Sequence, residues 1–444
     1  RDRAGRITAA AEGLAGGHAE SWQHIEVDRT GDAAQLEELR ARIESTLADV
    51  RVAVDDWPKM MQRAHGIAAD LRKGMPGIAA GETQEAAEFV DWLAGNHFTF
   101  LGYREYRLVR GANTDQLVPV PRSGLGLLRT GGGRPRPQPT LLQGEVRRKA
   151  REAAALVVTK ANSVSTVHRA TYLDYIGVKT CNARGQVTGE KRFIGLFTSA
   201  TYSASPRSIP LLRHKVQRVI DHFGVSPVSH DGKALMHVLE AHPRDELFQA
   251  TVPELVKSFR GIVNLYERRR VRLLLRRDPY QRFFSCLLYV PRDRYNTQAR
   301  ERVEAILLEE LGGQSLEAQV QISESALARL HLLVRTDPAR EVSASVERIE
   351  RRIAETLRTW EDRLRAEINQ SLPAERATEI ARRFEGAFPV SYQADVTASQ
   401  ALPDMLELLG LPDSPQALGL ELRRGSGDGP GALQLRLYRR GEPV

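Results

Sequence analysis

The segment from His230 to Asp245 contains side chains that could bind a metal ion. The potential ligands are His230, Asp231, His237, His242 and Asp245. Zinc and related metals need ligands that converge on one point. These histidines share no common helical face and no pair of carboxylates bridges them, so we interpret them as surface or capping residues. The sequence predicts no metal site.

A short glycine-rich segment, Ser123-Gly124-Leu125-Gly126, begins like a nucleotide-binding turn. A dinucleotide fingerprint also needs a third glycine, a helix directly after it and an acidic residue downstream. These features do not follow here. No Ser/His/Asp or Cys/His arrangement for nucleophilic catalysis stands out either. The sequence therefore predicts no catalytic and no cofactor-binding residue in this chain.

The two cysteines, Cys181 and Cys286, have no partner spacing for zinc and form no disulfide framework. Cys286 lies in an apolar strand, which indicates a buried core thiol. No apolar run reaches the roughly 18 residues of a membrane-spanning helix, and no charged-then-apolar leader opens the chain. We therefore expect a protein of the reducing cytoplasm with no membrane partner.

Basic residues slightly outnumber acidic ones, with 64 Lys and Arg against 56 Asp and Glu, which gives a net charge of +8. The densest basic run comprises Arg268, Arg269, Arg270, Arg272, Arg276 and Arg277. Such a stripe could bind nucleic acid. The neighbouring strand carries no exposed aromatic pair of the kind that stacks bases. We therefore interpret the run as a solvated or subunit-facing rim and expect no nucleic-acid partner, although a strongly salt-dependent affinity would revive that option.

Residues 271–336 hold the elements that should organise the chain. Period-two apolar patterns predict strands at Val271 to Arg276 and at Leu316 to Ile322. An almost continuous apolar run predicts a central strand at Phe283 to Val290, and a last strand is predicted at Leu327 to Val334. Thr297 to Leu311 has helical spacing and stops at Gly312. Two hairpins with covering helices predict a small α+β sandwich of ferredoxin-like type, entered at a permuted point as ββαββα.

Partial copies of this unit are predicted at both ends of the chain. Arg6 to Ala10 and Ser21 to Val27 look like two strands before a helix that Asp32 and Gln35 cap, and this helix should bury one apolar stripe. Leu418 to Leu422 and Leu433 to Tyr438 look like a single hairpin. Between these ends, several short strands from about His97 to Thr201 predict a curved-sheet sensor domain.

Some long, aromatic-rich phrases carry a resemblance to a known family. They are ESWQHIEVDR (Glu20 to Arg29), EFVDWLAGNHFTFLGYREY (Glu88 to Tyr106), SGLGLLR (Ser123 to Arg129), EKRFIGLFTSATYSASPRSIPLLRHKV (Glu190 to Val216), HDGKALMHVLEAHPRDELFQA (His230 to Ala250) and LYRRGEPV (Leu437 to Val444). The chain resembles the large bacterial NAD-specific glutamate dehydrogenases over essentially its whole length.

In that family, ACT-like domains, a PAS-type domain and helical motifs precede a catalytic domain that deaminates glutamate to 2-oxoglutarate with NAD. The family's Rossmann fingerprint and substrate lysines have no counterpart here. The resemblance thus implies a regulatory and oligomerisation segment without the catalytic domain. NAD would bind only to the intact enzyme. The implied partners are the protein's own catalytic domain, neighbouring subunits and an amino-acid effector.

The implied fold class is α+β multidomain, with ferredoxin-like ACT (ββαββα) modules, a PAS-like antiparallel sheet domain and helical connectors. The expected units are the C-terminal part of a first ACT-like domain (1–50), a helical connector (51–95), a PAS-like domain (96–225), a helical segment (226–268), a second ACT-like domain (269–345) continuing into a long helix (342–370), a helical motif (371–415) and the first hairpin of a third ACT-like domain (416–444).

ACT domains commonly hold amino-acid effectors at a loop between a strand and the following helix. Asp28-Arg29-Thr30-Gly31 and Asp337-Pro338-Ala339 resemble that loop, although Ala339 stands where glycine is usual. The resemblance implies Asp28, Arg29, Gly31, Asp337 and Pro338 as effector-binding residues, because helix N-terminal N–H groups can receive a carboxylate. A plain helix cap is the alternative.

Two functions follow from these observations. The first is a regulatory and assembly segment of a multidomain dehydrogenase. The second is a stand-alone amino-acid-sensing ACT/PAS adaptor without enzymatic activity. The half-modules favour the first, because an open terminal hairpin leaves unpaired strand edges. The length of the intact reading frame would separate the two.

Overall fold

The computed structural model describes residues 23–131, 136–226, 228–263, 265, 270–321, 325–338, 340, 342–414, 417–424 and 433–439. The predicted strand at Arg6 to Ala10, together with Arg268, Arg269 and Ala339, lies outside these residues. Within them the protein is α+β, as expected. None of the described helices combines the length and the apolar character that crossing a membrane requires.

The first element is helix α1, Ala33–Arg72, and the predicted cap at Asp32 is confirmed. The Asp32 side chain accepts a hydrogen bond of 2.9 Å from the Ala34 N–H. The other half of the predicted capping box, a hydrogen bond from the Asp32 N–H to the Gln35 side chain, is wrong. The Asp32 N–H donates instead to Thr30 Oγ1, which in turn donates to the Gln35 side chain. The predicted strand at Ser21 to Val27 is also wrong, because residues 23–27 have no strand structure.

The prediction that α1 buries its whole apolar stripe is wrong for the first half of the helix. Leu36, Ile43, Leu47 and Trp57 are 41–47% exposed. Burial begins at Ala53, where α1 reaches the next helix and the large sheet. No described element covers the preceding turns.

A seven-stranded antiparallel sheet follows, in the order β4-β2-β1-β7-β6-β5, with β3 paired to β1. Its strands are β1 Phe98–Val109, β2 Asp115–Pro119, β3 Leu125–Gly126, β4 Thr140–Leu142, β5 Leu156–Val164, β6 Tyr172–Cys181 and β7 Val187–Phe197. The accompanying helices are α2 Ala80–Trp92 and α3 Gly144–Arg151, and a short π-helix, Leu93–His97, leads into β1. The predicted antiparallel strands are therefore confirmed, but four of them are not short, since β1, β5, β6 and β7 are 9–12 residues long.

Aromatic side chains fill the core on one face of this large sheet. Phe98, Phe100, Phe193 and Phe197 are each at most 4% exposed and meet edge to face at 5.1–5.4 Å between ring centroids. Such contacts add to the stabilisation that apolar burial provides. The same core extends to a group of helices that follows β7: α4 Ser199–Ser203, α5 Leu212–Phe223, α6 His230–Ala241, α7 Arg244–Gln249 and α8 Val252–Val263.

The predicted ββαββα unit is confirmed in residues 271–356. Its elements are β8 Arg272–Arg277, β9 Phe283–Pro291, α9 Thr297–Leu311, β10 Gly313–Gln321, β11 Leu327–Thr336 and α10 Val346–Thr356. The four strands are antiparallel in the order β10-β11-β9-β8. Helix α9 has its predicted bounds, because Asn296 caps its start and Gly312 ends it in the left-handed region, at φ 60°.

Strand β9 is buried on both faces of the four-stranded sheet. Cys286 and Leu288 face α9 and α10, and the predicted buried thiol is confirmed at 0% exposure. Leu287 and Tyr289 point the opposite way, into the core that the large sheet and helices α5 to α8 share. A continuous apolar run is the pattern expected of such a strand.

The predicted single long helix over residues 342–370 is wrong, because two helices occupy this stretch. Helix α10 ends at Thr356, and α11, Trp360–Ser371, starts at a capping box between Thr359 and Asp362. Helices α12 Ala374–Arg383, α13 Val390–Asp395 and α14 Ala398–Gly410 then form a helical bundle with α11. Leu364 and Ile368 lie in the core of this bundle.

A hairpin of β12, Leu418–Arg424, and β13, Leu433–Arg439, ends the described chain and confirms the predicted pair of strands. One face packs on α14, where the Tyr438 hydroxyl donates to Asp404 Oδ1 at 2.8 Å. The opposite face carries leucines that are 54–65% exposed. These are Leu418, Leu420, Leu422, Leu433, Leu435 and Leu437.

Candidate functional site

The segment from His242 to Glu246 lies at the junction between the large sheet and the four-stranded sheet. It comprises the two residues between α6 and α7 and the first three residues of α7. His242, Arg244, Asp245 and Glu246 are each no more than 7% exposed. Consecutive buried charges are rare, because each one needs a partner that compensates for its lost hydration. The junction therefore concentrates unusual electrostatics at one place in the fold.

Asp245 pairs with a buried lysine of the large sheet. Lys160 Nζ lies 3.1 Å from Asp245 and 2.6 Å from Asp174. Lys160 and Asp174 are register partners on β5 and β6, which places them side by side on one face. The Phe197 N–H donates to the second oxygen of Asp174 at 3.0 Å. One ammonium group thus bridges two carboxylates from separate elements.

This triad carries one more negative than positive charge in a dry environment. Burial raises the pKa of Asp174 to about 6, and the neighbouring Asp245 adds to the effect, although Lys160 opposes it. The same two carboxylates raise the pKa of the Lys160 ammonium above its usual value, despite burial. We conclude that the two carboxylates hold Lys160 in its charged form.

Glu246 faces the other way, toward the four-stranded sheet. Arg276 on β8 holds it in a two-point contact, with Nη2 at 2.6 Å and Nε at 2.9 Å from the two carboxylate oxygens. This pair holds the pKa of Glu246 well below its usual value, against the effect of burial. Arg276 Nη2 also donates to Gln249 at 3.1 Å. Helix α7 is thereby attached to both sheets.

Ser285, His331 and Glu246 have the residue types of a catalytic triad, but their geometry is different. His331 Nε2 lies 3.0 Å from Ser285 Oγ and 3.7 Å from Glu246 Oε1, so both partners meet the same ring nitrogen. A proton relay needs one partner on each nitrogen. All three side chains are also at most 7% exposed. We interpret the group as a structural hydrogen-bond network.

Lys215 of α5 secures the C-terminal end of α7. Its ammonium donates to the carbonyl oxygens of Leu247, Phe248 and Ala250 at 2.8–2.9 Å. Burial lowers the pKa of Lys215 to about 8. A cation at a helix C-terminus also complements the negative end of the helix dipole. Both ends of α7 are therefore fixed by charged side chains.

His242 borders a pocket of about 360 Å³ between α6, α7 and β10–β11. The prediction of a surface or capping role is wrong as to the surface, because this residue is 4% exposed, but His242 is the C-cap of α6, which confirms the capping role. Burial lowers the pKa of His242 to about 3, so the ring is neutral. Its Nδ1 has no hydrogen-bond partner among the described residues. The pocket also holds Asp245 and Arg329, which makes it polar and mixed in charge.

Two further contacts join the large sheet to the four-stranded unit. Arg282 donates to Thr159 at 3.0 Å and pairs with Asp278 at 2.9 Å. Arg335 lies 3.8 Å above the Tyr172 ring and donates to the Ala161 carbonyl at 2.9 Å. These contacts flank the buried charges on α7, so the two sheets meet along an extended polar seam.

The predicted effector residues lie away from this seam. Asp28, Arg29 and Gly31 are exposed in the segment before α1, and Asp337 and Pro338 are exposed in the turn after β11. None of them borders the pocket beside His242. The described residues contain no group of three or more side chains placed to hold a metal ion.

Sequence reasoning did not anticipate the seam. It considered Asp245 only as a metal ligand and Arg276 only as part of a surface stripe. One available signal was the uninterrupted charged triplet Arg244, Asp245 and Glu246 directly before the apolar pair Leu247–Phe248. Such a triplet on a short helix must meet opposite charges if the apolar neighbours are buried.

The fold and the domain matches together define the class of the four-stranded unit. Residues 272–361 match the ACT2 domain of glutamate dehydrogenase, residues 209–268 match its helical motif 1 and residues 367–411 match its helical motif 2. The unit of β8 to β11 with α9 and α10 is thus an ACT domain, and the segments on its two sides match the two helical motifs.

Similarity to complete proteins extends beyond these matches. The chain is 37% identical over 427 residues to the NAD-specific glutamate dehydrogenase of Halomonas elongata and 34% identical over 425 residues to that of Pseudomonas aeruginosa. Each alignment covers 96% of this chain and 26% of the relative. The Mycobacterium tuberculosis enzyme of the same name is 31% identical over 422 residues, which is 92% of this chain and 25% of that protein. The chain spans about a quarter of the length of the curated relatives it matches.

Proposed function

We propose that this chain is the regulatory and assembly segment of an NAD-dependent glutamate dehydrogenase and that it lacks the catalytic domain. The observation that carries the proposal is the ACT2 match flanked by two helical motifs in a chain a quarter as long as its relatives. In the intact enzyme, L-glutamate and NAD would give 2-oxoglutarate, ammonia and NADH at a site outside these residues.

The first test is an activity measurement on the purified 444-residue chain. We expect no glutamate-dependent formation of NADH, because the Rossmann fingerprint and the substrate lysines of the family that the chain resembles have no counterpart in its sequence. The intact enzyme assayed in parallel provides the positive control. Turnover by the isolated chain would refute the proposed division between regulatory and catalytic parts.

The large sheet would serve as the PAS-type domain of this segment. In support, its strands are antiparallel and one face is packed by α2 and the helices after β7. The buried charges on α7 would then connect this sensor to the ACT domain. An effector that shifted either sheet would alter the geometry of the Lys160 and Arg276 contacts, which gives a physical route for coupling.

Two effector loops are proposed, one with Asp28, Arg29 and Gly31 and the other with Asp337 and Pro338. The first loop is supported by its geometry, since Asp28 to Gly31 lead directly to the capped start of α1. The second is supported by its place after β11. Titration of amino acids into the intact enzyme, with heat as the readout, would identify the ligand. Asp337→Ala should weaken binding at least tenfold, whereas the exposed control Asp55→Ala should not. Equal affinity of both variants would remove the loop of Asp337 and Pro338 from the proposal.

The proposed partners are the protein's own catalytic domain and neighbouring subunits, in the cytoplasm. The exposed leucines of β12 and β13 support a contact of this kind, because apolar patches of this type mark interaction surfaces. In the intact enzyme, Leu420→Thr with Leu437→Thr should weaken assembly or docking, measured by light scattering and protease resistance. If the double variant keeps both the molecular mass and the protease resistance of the parent enzyme, the leucine face of β12 and β13 is not a contact surface.

A further inference from the structure

A basic groove lies between α5, α8 and the edge strand β8, on a different side of the helical segment from the buried seam. It has a volume of about 520 Å³ and is bordered by His222, Lys257, Arg260, Arg270 and Arg272. No acidic side chain borders it among the described residues. A concave surface with charges of one sign concentrates ions of the opposite sign.

The local backbone explains why these cations converge. Lys257 and Arg260 are three residues apart on α8, so they share one face of the helix. Arg272 begins β8 and Arg270 lies two residues before it, and both side chains border the groove. The sequence indicated a basic run here, and the fold adds a second row of basic side chains from α8.

Of the four Lys and Arg side chains that border the groove, only Arg272 pairs with a carboxylate of the described residues. Lys257 and Arg270 form no ion pair with a described residue, and Arg260 Nη2 donates to His222 Nε2 at 3.2 Å, a contact in which the neutral imidazole nitrogen accepts. Arg272 Nη1 reaches Glu350 at only 3.6 Å, and that carboxylate also accepts from the Leu273 N–H at 2.7 Å. Arg272 Nε is enclosed and donates to no described group.

We propose that this groove binds a small polyanion that carries two or more phosphate groups. Guanidinium groups present paired donors that match phosphate oxygens, and several cations favour several negative charges over a single carboxylate. Val252, Pro253 and Val256 give the groove an apolar wall, against which the nucleoside part of a nucleotide could pack. Nucleic acid is the less favoured ligand, because none of the described residues that border the groove is a Phe, Tyr or Trp on which bases could stack. The inference does not depend on the proposed enzymatic function.

The test is binding calorimetry on the full chain with ATP, ADP, AMP, adenosine and inorganic tripolyphosphate. We expect ATP and ADP to bind at least tenfold more tightly than AMP and adenosine to give no signal. The comparison of ATP with tripolyphosphate distinguishes a nucleotide from phosphate alone, and binding of either one supports the proposal. The double variant Lys257→Glu with Arg260→Glu should weaken binding at least 30-fold.

The matched control is Arg376→Glu with Arg383→Glu, two exposed residues of α12 that produce the same change in net charge. It should leave binding unchanged, and circular dichroism should be native for both double variants. Equal affinities for ATP and adenosine, or equal loss in both double variants, would overturn the proposal. Salt-dependent binding of a single-stranded RNA without binding of ATP or tripolyphosphate would overturn it in favour of nucleic acid.

Discussion

At the scale of single residues, Lys160 is the charge on which the junction depends most. Lys160→Met would leave Asp174 and Asp245 buried without their common cation. Removal of one partner from a buried ion pair typically costs about 3–5 kcal/mol, because the remaining charge is uncompensated. We expect a loss of this size in the free energy of unfolding, measured with urea.

The matched control for this change is Lys73→Met. Lys73 also pairs with an aspartate, Asp70, but its side chain is 75% exposed. Exposed pairs contribute little, so the control should stay within about 0.5 kcal/mol of the parent chain. Similar losses for the two variants would show that the contacts of Lys160 are not a special feature of the fold.

Asp115 predicts a specific dependence of stability on pH. Hydrogen bonds from Arg151 and Arg147 hold the pKa of this buried carboxyl at about 2, below its usual value of 3.8. The lowered pKa adds stability above about pH 4, and this contribution is lost as the pH falls toward 2. Asp115→Asn should therefore cost about 2 kcal/mol at pH 7, with the difference narrowing below pH 4.

Urea unfolding of both chains between pH 7 and pH 3 would measure this difference. Asp55→Asn, at an exposed position of α1, is the control and should show no comparable trend. A difference between parent and Asp115→Asn that stayed constant with pH would mean that the ion pairs of Asp115 add nothing to stability.

At the scale of elements, the break between α10 and α11 changes the expected effect of mutations in this region. Leu364 and Ile368 are at most 5% exposed in the core of the helical bundle. Leu364→Glu with Ile368→Glu should therefore unfold α11 to α14, because two buried carboxylates have no partner there. Circular dichroism should show lost helix, and proteolysis should cut between residues 357 and 411.

Asn369→Glu, at an exposed position of the same helix, is the control and should remain folded. Resistance of the double variant to protease would mean that the bundle core does not require these two side chains. The ACT domain should remain folded in either case, since its own core does not include Leu364 or Ile368.

The same region shows how far the sequence predicts elements. Helix α9 was predictable to the residue, because Asn296, the apolar spacing and Gly312 are all local signals. The apolar spacing from Ile349 to Ile368 continues through the break and predicted one helix. The deciding signal was the pair Thr359 and Asp362, whose reciprocal hydrogen bonds start α11.

The buried seam could not be predicted in this way. Arg276 lies 30 residues from Glu246 in the chain, and Lys160 lies still farther from Asp245. A period-two pattern assigns such arginines to the solvent face of a strand. Here a second layer of structure covers that face, and only the tertiary fold reveals it.

At the scale of the whole molecule, the exposed apolar faces lie near the two ends of the described chain. One comprises Leu36, Ile43 and Leu47 on α1, and the other comprises the leucines of β12 and β13. Both belong to the predicted partial ACT-like units. The curated relatives are about four times as long, so the proposed intact protein offers ample structure to cover both faces.

The double burial of β9 has a consequence for how the molecule unfolds. Leu287 and Tyr289 belong to the core of the large sheet, whereas Cys286 and Leu288 belong to the core of the ACT domain. One strand cannot leave one core and stay in the other, so the two cores should melt in a single cooperative transition.

The helical bundle has a separate core and can melt independently. A heat-capacity scan should therefore show two transitions: Leu288→Ala should lower the midpoint of the larger one, and Ile380→Ala only that of the smaller. Separate melting of the large sheet and the ACT domain would contradict this view of β9 as the strand that makes them one thermodynamic unit.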